Sequence, residues 1–165
     1  FKQAYARGEI PMRVTHNDTK CNNVMFDKDT KEPLAVIDLD TVMPGFTAYD
    51  YGDAVRFAAN TAAEDEPDVS KVSLDLRLCR AFTDGFVGKI RDHLRREEVN
   101  TLPDGLLLIT LELAARFLTD YLDGDRYFKI RTNDHNLIRA RNQIALAQDI
   151  CRKMDDLREI IAQQA

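Results

Sequence analysis

The chain has no tryptophan, only three cysteines and three histidines, and no excess of positive charge among its 165 residues. Each scarcity removes a class of protein. The cysteines (Cys21, Cys79, Cys151) are widely spaced, odd in number and form no C-x-x-C pair, so neither a disulfide framework nor a thiolate zinc site is available; free thiols in a reducing compartment are expected. No apolar run approaches the roughly 20 residues that span a bilayer, and residues 1–7 lack the basic-then-apolar order of a signal peptide. A soluble, cytoplasmic protein with no membrane partner is expected. With 23 Lys and Arg against 28 Asp and Glu, both signs mixed along the chain, the formal net charge is −5, and there is no basic stripe to neutralise phosphates. A nucleic-acid partner is therefore not expected. Nor does a Walker A phosphate loop occur.

What is present suits one domain with one substantial core, since 44% of the residues are hydrophobic. The segment Pro11-Met-Arg-Val-Thr15 reads as extended, and two apolar β-prone runs follow, Val24-Met-Phe26 and Leu34-Ala-Val-Ile37. The polar Asp27-Lys-Asp-Thr-Lys-Glu-Pro33 between them has hairpin length, so a β-hairpin is predicted. After Pro44-Gly45 the pattern turns helical, beginning with Asp53-Ala-Val-Arg-Phe-Ala-Ala-Asn60 and interrupted by a loop at Glu64-Asp-Glu-Pro67, read as solvated surface. Across residues 76–94, Leu78, Ala81, Phe82, Phe86 and Ile90 recur at helical spacing, with Gly85 and Gly88 weakening continuity. The run 106–115 is apolar on nearly every face and predicts a central buried helix. Leu137, Ala140, Ile144, Ala147, Ile150, Met154, Leu157 and Ile161 then predict one long amphipathic helix, with Asn133 and Asp134 as cap candidates. The expected fold class is α+β, mainly α: a hairpin near the start and a bundle of helices.

Groups able to do chemistry concentrate in one stretch: His16-Asn17-Asp18, Asn23, Asp38 and Asp40. Asp18 and Asn23 precede the first strand of the hairpin and Asp38 and Asp40 end the second, so strand pairing draws them to one end. Two carboxylates and an amide oxygen form an oxygen-rich set suited to Mg²⁺ rather than Zn²⁺. Phosphoryl transfer needs a carboxylate to take the attacking hydroxyl's proton and oxygen ligands that hold metal on nucleotide phosphates.

The order H-x-D-x-x-x-x-N, written here His16-Asn-Asp-Thr-Lys-Cys-Asn-Asn23, followed by Ile37-Asp-Leu-Asp40, resembles the catalytic and metal-binding motifs of protein kinases. Asn17 in place of Arg, and Leu39-Asp40 in place of Phe-Gly, resemble the aminoglycoside/choline kinase branch instead. Thr15-His-Asn-Asp-Thr-Lys20, Val36-Ile-Asp-Leu-Asp-Thr-Val-Met-Pro-Gly45, Tyr49-Asp-Tyr-Gly-Asp-Ala54 and Arg116-Phe-Leu-Thr-Asp-Tyr121 look like N-acetylhexosamine kinases over nearly the whole chain. The resemblance implies a protein-kinase-like C-terminal lobe across residues 1–165 that uses Mg²⁺ and ATP. It would transfer the γ-phosphate to the anomeric hydroxyl of an N-acetylhexosamine. Asp18 would be the base, with Lys20 beside it; Asn23, Asp38 and Asp40 would bind metal; Lys20, Arg116, Tyr127 and Asp50 would meet substrate. The Gly-rich loop and strand lysine of such enzymes lie in an N-terminal lobe. Phe1 opens what looks like a helix already under way, so that nucleotide-binding lobe is expected to belong to a longer parent.

Each assignment has a plainer reading. His16 buttresses the catalytic loop by hydrogen bonding; Asp53, ahead of a helix, caps its backbone N–H groups. Arg116 lies four residues after Glu112, a spacing at which the two pair on one helical face. Tyr127 and Phe128 are core residues at a helix end, and Cys21 fills space. A kinase of the same fold acting on choline, an aminoglycoside or homoserine stays open, although the absence of Trp and the small number of clustered aromatics weigh mildly against a choline cage. So does a non-catalytic kinase-like binding domain, against which stands the retention of Asp18, Asn23 and Asp38 together. A sulfatase is excluded, because no cysteine begins a Cys-x-Pro-x-Arg sequence.

Overall fold

In the computed structural model, which describes residues 1–164, short strands occupy the first third and helices the rest. A short helix α1 (Lys2–Ala6) precedes strand β1 (Arg13–Thr15), which pairs antiparallel with β4 (Met43–Gly45) in the register Thr15↔Met43. Within this frame β2 (Val24–Phe26) and β3 (Pro33–Val36) form the predicted hairpin, with Val24 opposite Val36 and an irregularity between Met25 and Phe26. Its turn is held by Asp27, whose Oδ1 accepts the N–H groups of Asp29 and Thr30 at 2.9 and 2.8 Å. The β1–β4 pairing brings the chain back beside Thr15 just before the first long helix, so both ends of the hairpin unit are clamped.

Six helices follow: α2 (Thr47–Ala58), α3 (Leu76–Ile90), α4 (Arg96–Asn100), α5 (Leu102–Leu122), α6 (His135–Arg152) and α7 (Met154–Ala162). Asp75 starts α3 by accepting the N–H groups of Arg77 and Leu78, and Pro103 occupies the first turn of α5, where its missing donor costs nothing. α5 lies between α2 and α6. Gly52 and Gly105 set the closeness of α2 to α5: a Cβ on Gly52 would come within 2.6 Å of the Gly105 carbonyl oxygen, and a Cβ on Gly105 would strike the Ala48 carbonyl. The two backbones therefore touch where side chains would otherwise hold them apart. Tyr51, Val55, Leu102, Leu106, Leu146, Ile150 and Leu157 fill the core around this contact.

Four features depart from the sequence reading. The first long helix begins at Thr47, not near Asp53, because Phe46 packs on Phe1 and Tyr49 and turns the chain into the helix at once. Asp50 thus lies in its first turn, and Asp53 lies in its body rather than at a cap. The predicted single C-terminal helix breaks at Lys153, whose Nζ bonds Asp149 of α6 at 2.6 Å and reaches out to Ser73 and the Leu74 carbonyl at 2.8 and 2.7 Å. In α3 the buried stripe is Cys79, Thr83 and Val87, while Leu78 is 48% exposed. α5 is not buried all round, since Leu108 and Leu111 reach the surface. Among the described residues no helix is long and apolar enough to cross a membrane.

Candidate active site

Between β1 and the hairpin the chain makes a tight loop that several unrelated elements hold in place. Asn17 adopts the left-handed region at φ 62°, which its short polar side chain tolerates by bonding backbone carbonyls of Thr15 and Thr41 at 3.2 and 3.1 Å. The His16 and Asn17 N–H groups donate to the two carboxylate oxygens of Asp50 at 2.8 and 2.7 Å, and the Thr19 hydroxyl donates to the Asp50 carbonyl at 2.6 Å. His16 donates from Nε2 to the Ile37 carbonyl at 3.0 Å, tying the loop to the end of β3, while Thr41 Oγ1 donates to the His16 carbonyl at 2.6 Å. Burial pushes the Asp50 carboxyl above the usual carboxylate range, and its two N–H donors counter this only in part.

Asp50 is therefore spent on the backbone of the loop. Replacing it with Asn sets an amide NH₂ against one of those N–H donors, so Asp50→Asn is expected to lower kcat on the order of tenfold, with acceptor KM changed less. Steady-state kinetics that showed the loss confined to KM would return Asp50 to substrate contact.

Asp18 follows directly. Its Oδ2 receives Lys20 Nζ at 2.8 Å and Asn23 Nδ2 at 2.8 Å, and the same Asn23 nitrogen donates to the Asp18 carbonyl at 2.8 Å. Oδ1 of Asp18 has no hydrogen-bond partner among the described residues, and the side chain is 26% exposed. Asp38 also adopts the left-handed region, at φ 64°. Side-chain hydrogen bonding with the neighbouring Asp40, and then the charge of Asp40, push the Asp38 carboxyl upward, with a smaller push from Asp18 partly offset by Lys20. Such mutual repulsion is what a cation would relieve. Yet no group of three His, Cys, Asp or Glu side chains among the described residues could hold a metal ion by itself. Asn23 spends its nitrogen on Asp18 and leaves Oδ1 without a hydrogen bond, and its backbone carbonyl accepts the Ile37 N–H at 2.9 Å, which sets Asn23 beside the start of the Asp38–Asp40 segment. This all-oxygen but incomplete set fits Mg²⁺ carried in part by phosphate oxygens.

Next to the loop opens a cavity of about 690 Å³, walled by α2, α5, the segment after α5 and one residue of α6. Asp18, Lys20, Asp53, Arg116 and Tyr127 all line it, whereas His16, Asn23, Asp38, Asp40 and Asp50 do not. Arg116 does two things at once: it pairs with Glu112 at 3.7 Å, as their spacing predicted, and lays its guanidinium over Tyr127 and Phe128 at 5.6 and 5.5 Å from the ring centroids. The Phe117 and Phe128 rings pack at 4.7 Å, so aromatics do cluster here, contrary to the sequence reading. Residues 126–128 are placed by Asp120, which accepts the N–H groups of Arg126, Tyr127 and Phe128 at 2.8–2.9 Å and an amide hydrogen of Asn136 at 2.8 Å.

Several lining or supporting residues went unread in the sequence. Arg56 is 5% exposed and binds Asp53 at 2.8 Å, Glu64 at 3.0 Å and Gln143 at 3.3 Å. The loop at Glu64–Glu66, expected to be solvated, is instead folded inward: Glu64 reaches Arg56, and Asp65 meets His135 at 3.3 Å. Arg139 of α6 covers the Phe117 ring at 5.4 Å. The i, i+3 spacing of Asp53 and Arg56 was a usable signal; Asp120 stood only inside the Arg116–Tyr121 motif, and nothing in the sequence pointed to a role for Glu64 or Arg139.

Residues 3–83 match the model of the APH family, described as a phosphotransferase enzyme family. The matched segment runs from α1 into α3 and holds both sheets, the Asp18 loop and Asp50 and Asp53. In that segment the chain is similar to kinase-like phosphotransferases, in support of the aminoglycoside/choline kinase family.

Proposed function

We propose that the chain is the catalytic, acceptor-binding lobe of an ATP- and Mg²⁺-dependent kinase that phosphorylates a sugar hydroxyl, the anomeric hydroxyl of an N-acetylhexosamine. One observation carries this reading: Asp18 projects to the cavity wall with one carboxylate oxygen unengaged and the other oriented by Lys20 and Asn23. That is the arrangement a general base needs, with a free oxygen for the incoming hydroxyl and fixed donors that prevent rotation. Lys20 lies where it can offset charge gathering on the transferring phosphoryl group. Asn23 Oδ1, Asp38 and Asp40 are the residues that would hold Mg²⁺, which supplies charge neutralisation for the nucleotide phosphates.

The cavity's charges and aromatic faces support a neutral polyol over the rival acceptors. Asp18, Asp53, Glu64 and Glu112 are balanced by Lys20, Arg56, Arg116, Lys129 and Arg139, whereas a polycationic aminoglycoside calls for an acidic excess. A choline cation at these rings would meet like charge, because Arg116 lies over Tyr127 and Phe128 and Arg139 over Phe117. For the nucleotide we propose a separate lobe seated on the hairpin, whose Met25, Phe26, Leu34 and Val36 are each exposed.

Phosphorus NMR of the intact protein with Mg-ATP and, separately, N-acetylglucosamine, N-acetylgalactosamine, choline and kanamycin tests the proposal. A new sugar 1-phosphate resonance that requires Mg²⁺ is expected. Phosphorylation of choline or kanamycin alone would discard the sugar, and no product from any acceptor would turn the weight toward another alcohol or a non-catalytic domain.

A further inference from the structure

The cavity beside Asp18 carries more cations than carboxylates, and their pairing is uneven. Lys20 meets Asp18 at 2.8 Å, Arg56 meets Asp53 and Glu64 at 2.8 and 3.0 Å, and Arg116 meets Glu112 at 3.7 Å. Every carboxylate of the wall is thereby matched, and Lys129 and Arg139 are left as lining cations with no ion pair among the described residues. The two are neighbours, because Arg139 Nη1 donates to the Lys129 carbonyl and to Asn136 Oδ1, each at 3.2 Å. The Arg139 guanidinium also lies over the Phe117 ring, 5.4 Å from its centroid. Asp120 and Asp125 stand behind Asn136, each accepting from its amide nitrogen at 2.8 Å, and meet Arg139 only through that amide. Of the Arg139 nitrogens, Nε is shut away without a partner, whereas Nη2 bonds no protein group and is not shut away, so it stays open to a ligand.

Adjacent cations without counterions give one end of a cleft a positive potential, which draws anions into it. A guanidinium already fixed by two hydrogen bonds and a ring loses little freedom when it donates to an oxyanion, and such charge-assisted bonds are among the stronger ones. The exposed Lys129 supplies the complement, a mobile ammonium able to close on a second oxygen. We infer that the Lys129–Arg139 end of the cavity is an oxyanion subsite, and that it holds the phosphate of a phosphorylated sugar whose ring occupies the cavity in place of the neutral acceptor. This rests on the sugar kinase reading and adds to it a class of ligand that competes at the same site. A neutral sugar makes no use of the unpaired charges, so the subsite separates the two classes by affinity.

Isothermal titration calorimetry of the intact protein tests this, with Mg²⁺ and a non-hydrolysable ATP analogue present so that the donor site is filled. The titrants are N-acetylglucosamine, N-acetylglucosamine 6-phosphate and inorganic phosphate, each added to wild type, Lys129→Gln and Arg139→Gln. Wild type should bind the 6-phosphate roughly 10- to 100-fold more tightly than N-acetylglucosamine, as befits hydrogen bonds to a charged group. That preference should fall about tenfold in Arg139→Gln and by about threefold or more in Lys129→Gln. Because the preference is a ratio within each variant, a general loosening of the cavity weakens both sugars alike and leaves it unmoved. Lys129 is exposed, so its replacement keeps the test decisive even where Arg139→Gln lowers Tm. Equal affinity for the two sugars in wild type, or a preference that both variants retain, overturns the inference alone. Free phosphate that binds as tightly as the 6-phosphate overturns the assignment to a sugar ligand. No binding of either sugar defeats the sugar kinase reading and this inference with it.

Discussion

Replacing Asp18 with Asn is expected to lower kcat on the order of 10²- to 10⁴-fold, the range of a lost general base, while acceptor KM moves much less. The substituted amide side chain would still fill the space beside Lys20 and Asn23, both of which donate to Oδ2 of the native carboxylate at 2.8 Å. The substitution therefore removes the proton acceptor with little change of shape. Initial rates across an acceptor series separate the two parameters. A fall of only two- or threefold would end the case for Asp18 as base, and a change confined to KM would make it a binding residue.

The largest effect on stability is expected at Asp149 of α6, distant in sequence from the loop. Its Oδ2 accepts from Lys153 Nζ at 2.6 Å, the Leu74 N–H at 2.8 Å and Ser73 Oγ at 2.9 Å, while Oδ1 accepts from Arg152 at 3.0 Å. Burial by itself would raise this carboxyl. The hydrogen bond from Lys153, then those from Leu74, Ser73 and Arg152, outweigh it and hold the group well below the usual carboxylate range. Asp149→Ala leaves the Leu74 N–H unpaired and strips Lys153 of its carboxylate, although Lys153 keeps Ser73 and the Leu74 carbonyl, at the junction of α6, α7 and the start of α3, and should cost roughly 2–4 kcal/mol in urea unfolding. A cost below about 1 kcal/mol would show that water replaces the carboxylate there. The sign of the pH dependence follows from the depressed native pKa. The contribution is fully present above the unfolded value of about 3.9 and is lost as pH falls through the lower native one. Acid unfolding of wild type should accordingly be steeper below about pH 4 than that of Asp149→Ala.

Much of the candidate site was legible because its polar residue types stand in a short order along the chain. His16, Asp18, Asn23 and Asp38 lie within one hairpin's length, and local pairing of β2 with β3 is enough to bring them to one end. Arg116 and Tyr127 were legible only as candidates, since their approach to Asp18 depends on α5 packing against α2 through Gly52 and Gly105. Asp50 and Asp53 were both within sight, but a helix boundary misplaced by six residues hid what each does. That boundary is set by Phe46 packing on Tyr49 and on Phe1, which lies far from both in the chain.

The sequence by itself determined the local elements and the chemical character of the loop: alternating and helical hydrophobic periods, turn residues and the ordering of carboxylates and amides all act over a few residues. Only the tertiary structure decided which of those groups face a common cavity. Gln143 meeting Arg56, Glu64 turned inward, Asp120 gathering the N–H groups of residues 126–128 and Lys153 reaching Ser73 and Leu74 all depend on how segments pack against one another. Their reason is the same: a buried charge or polar group must find its partner wherever packing puts one, and no spacing rule along the chain encodes that place.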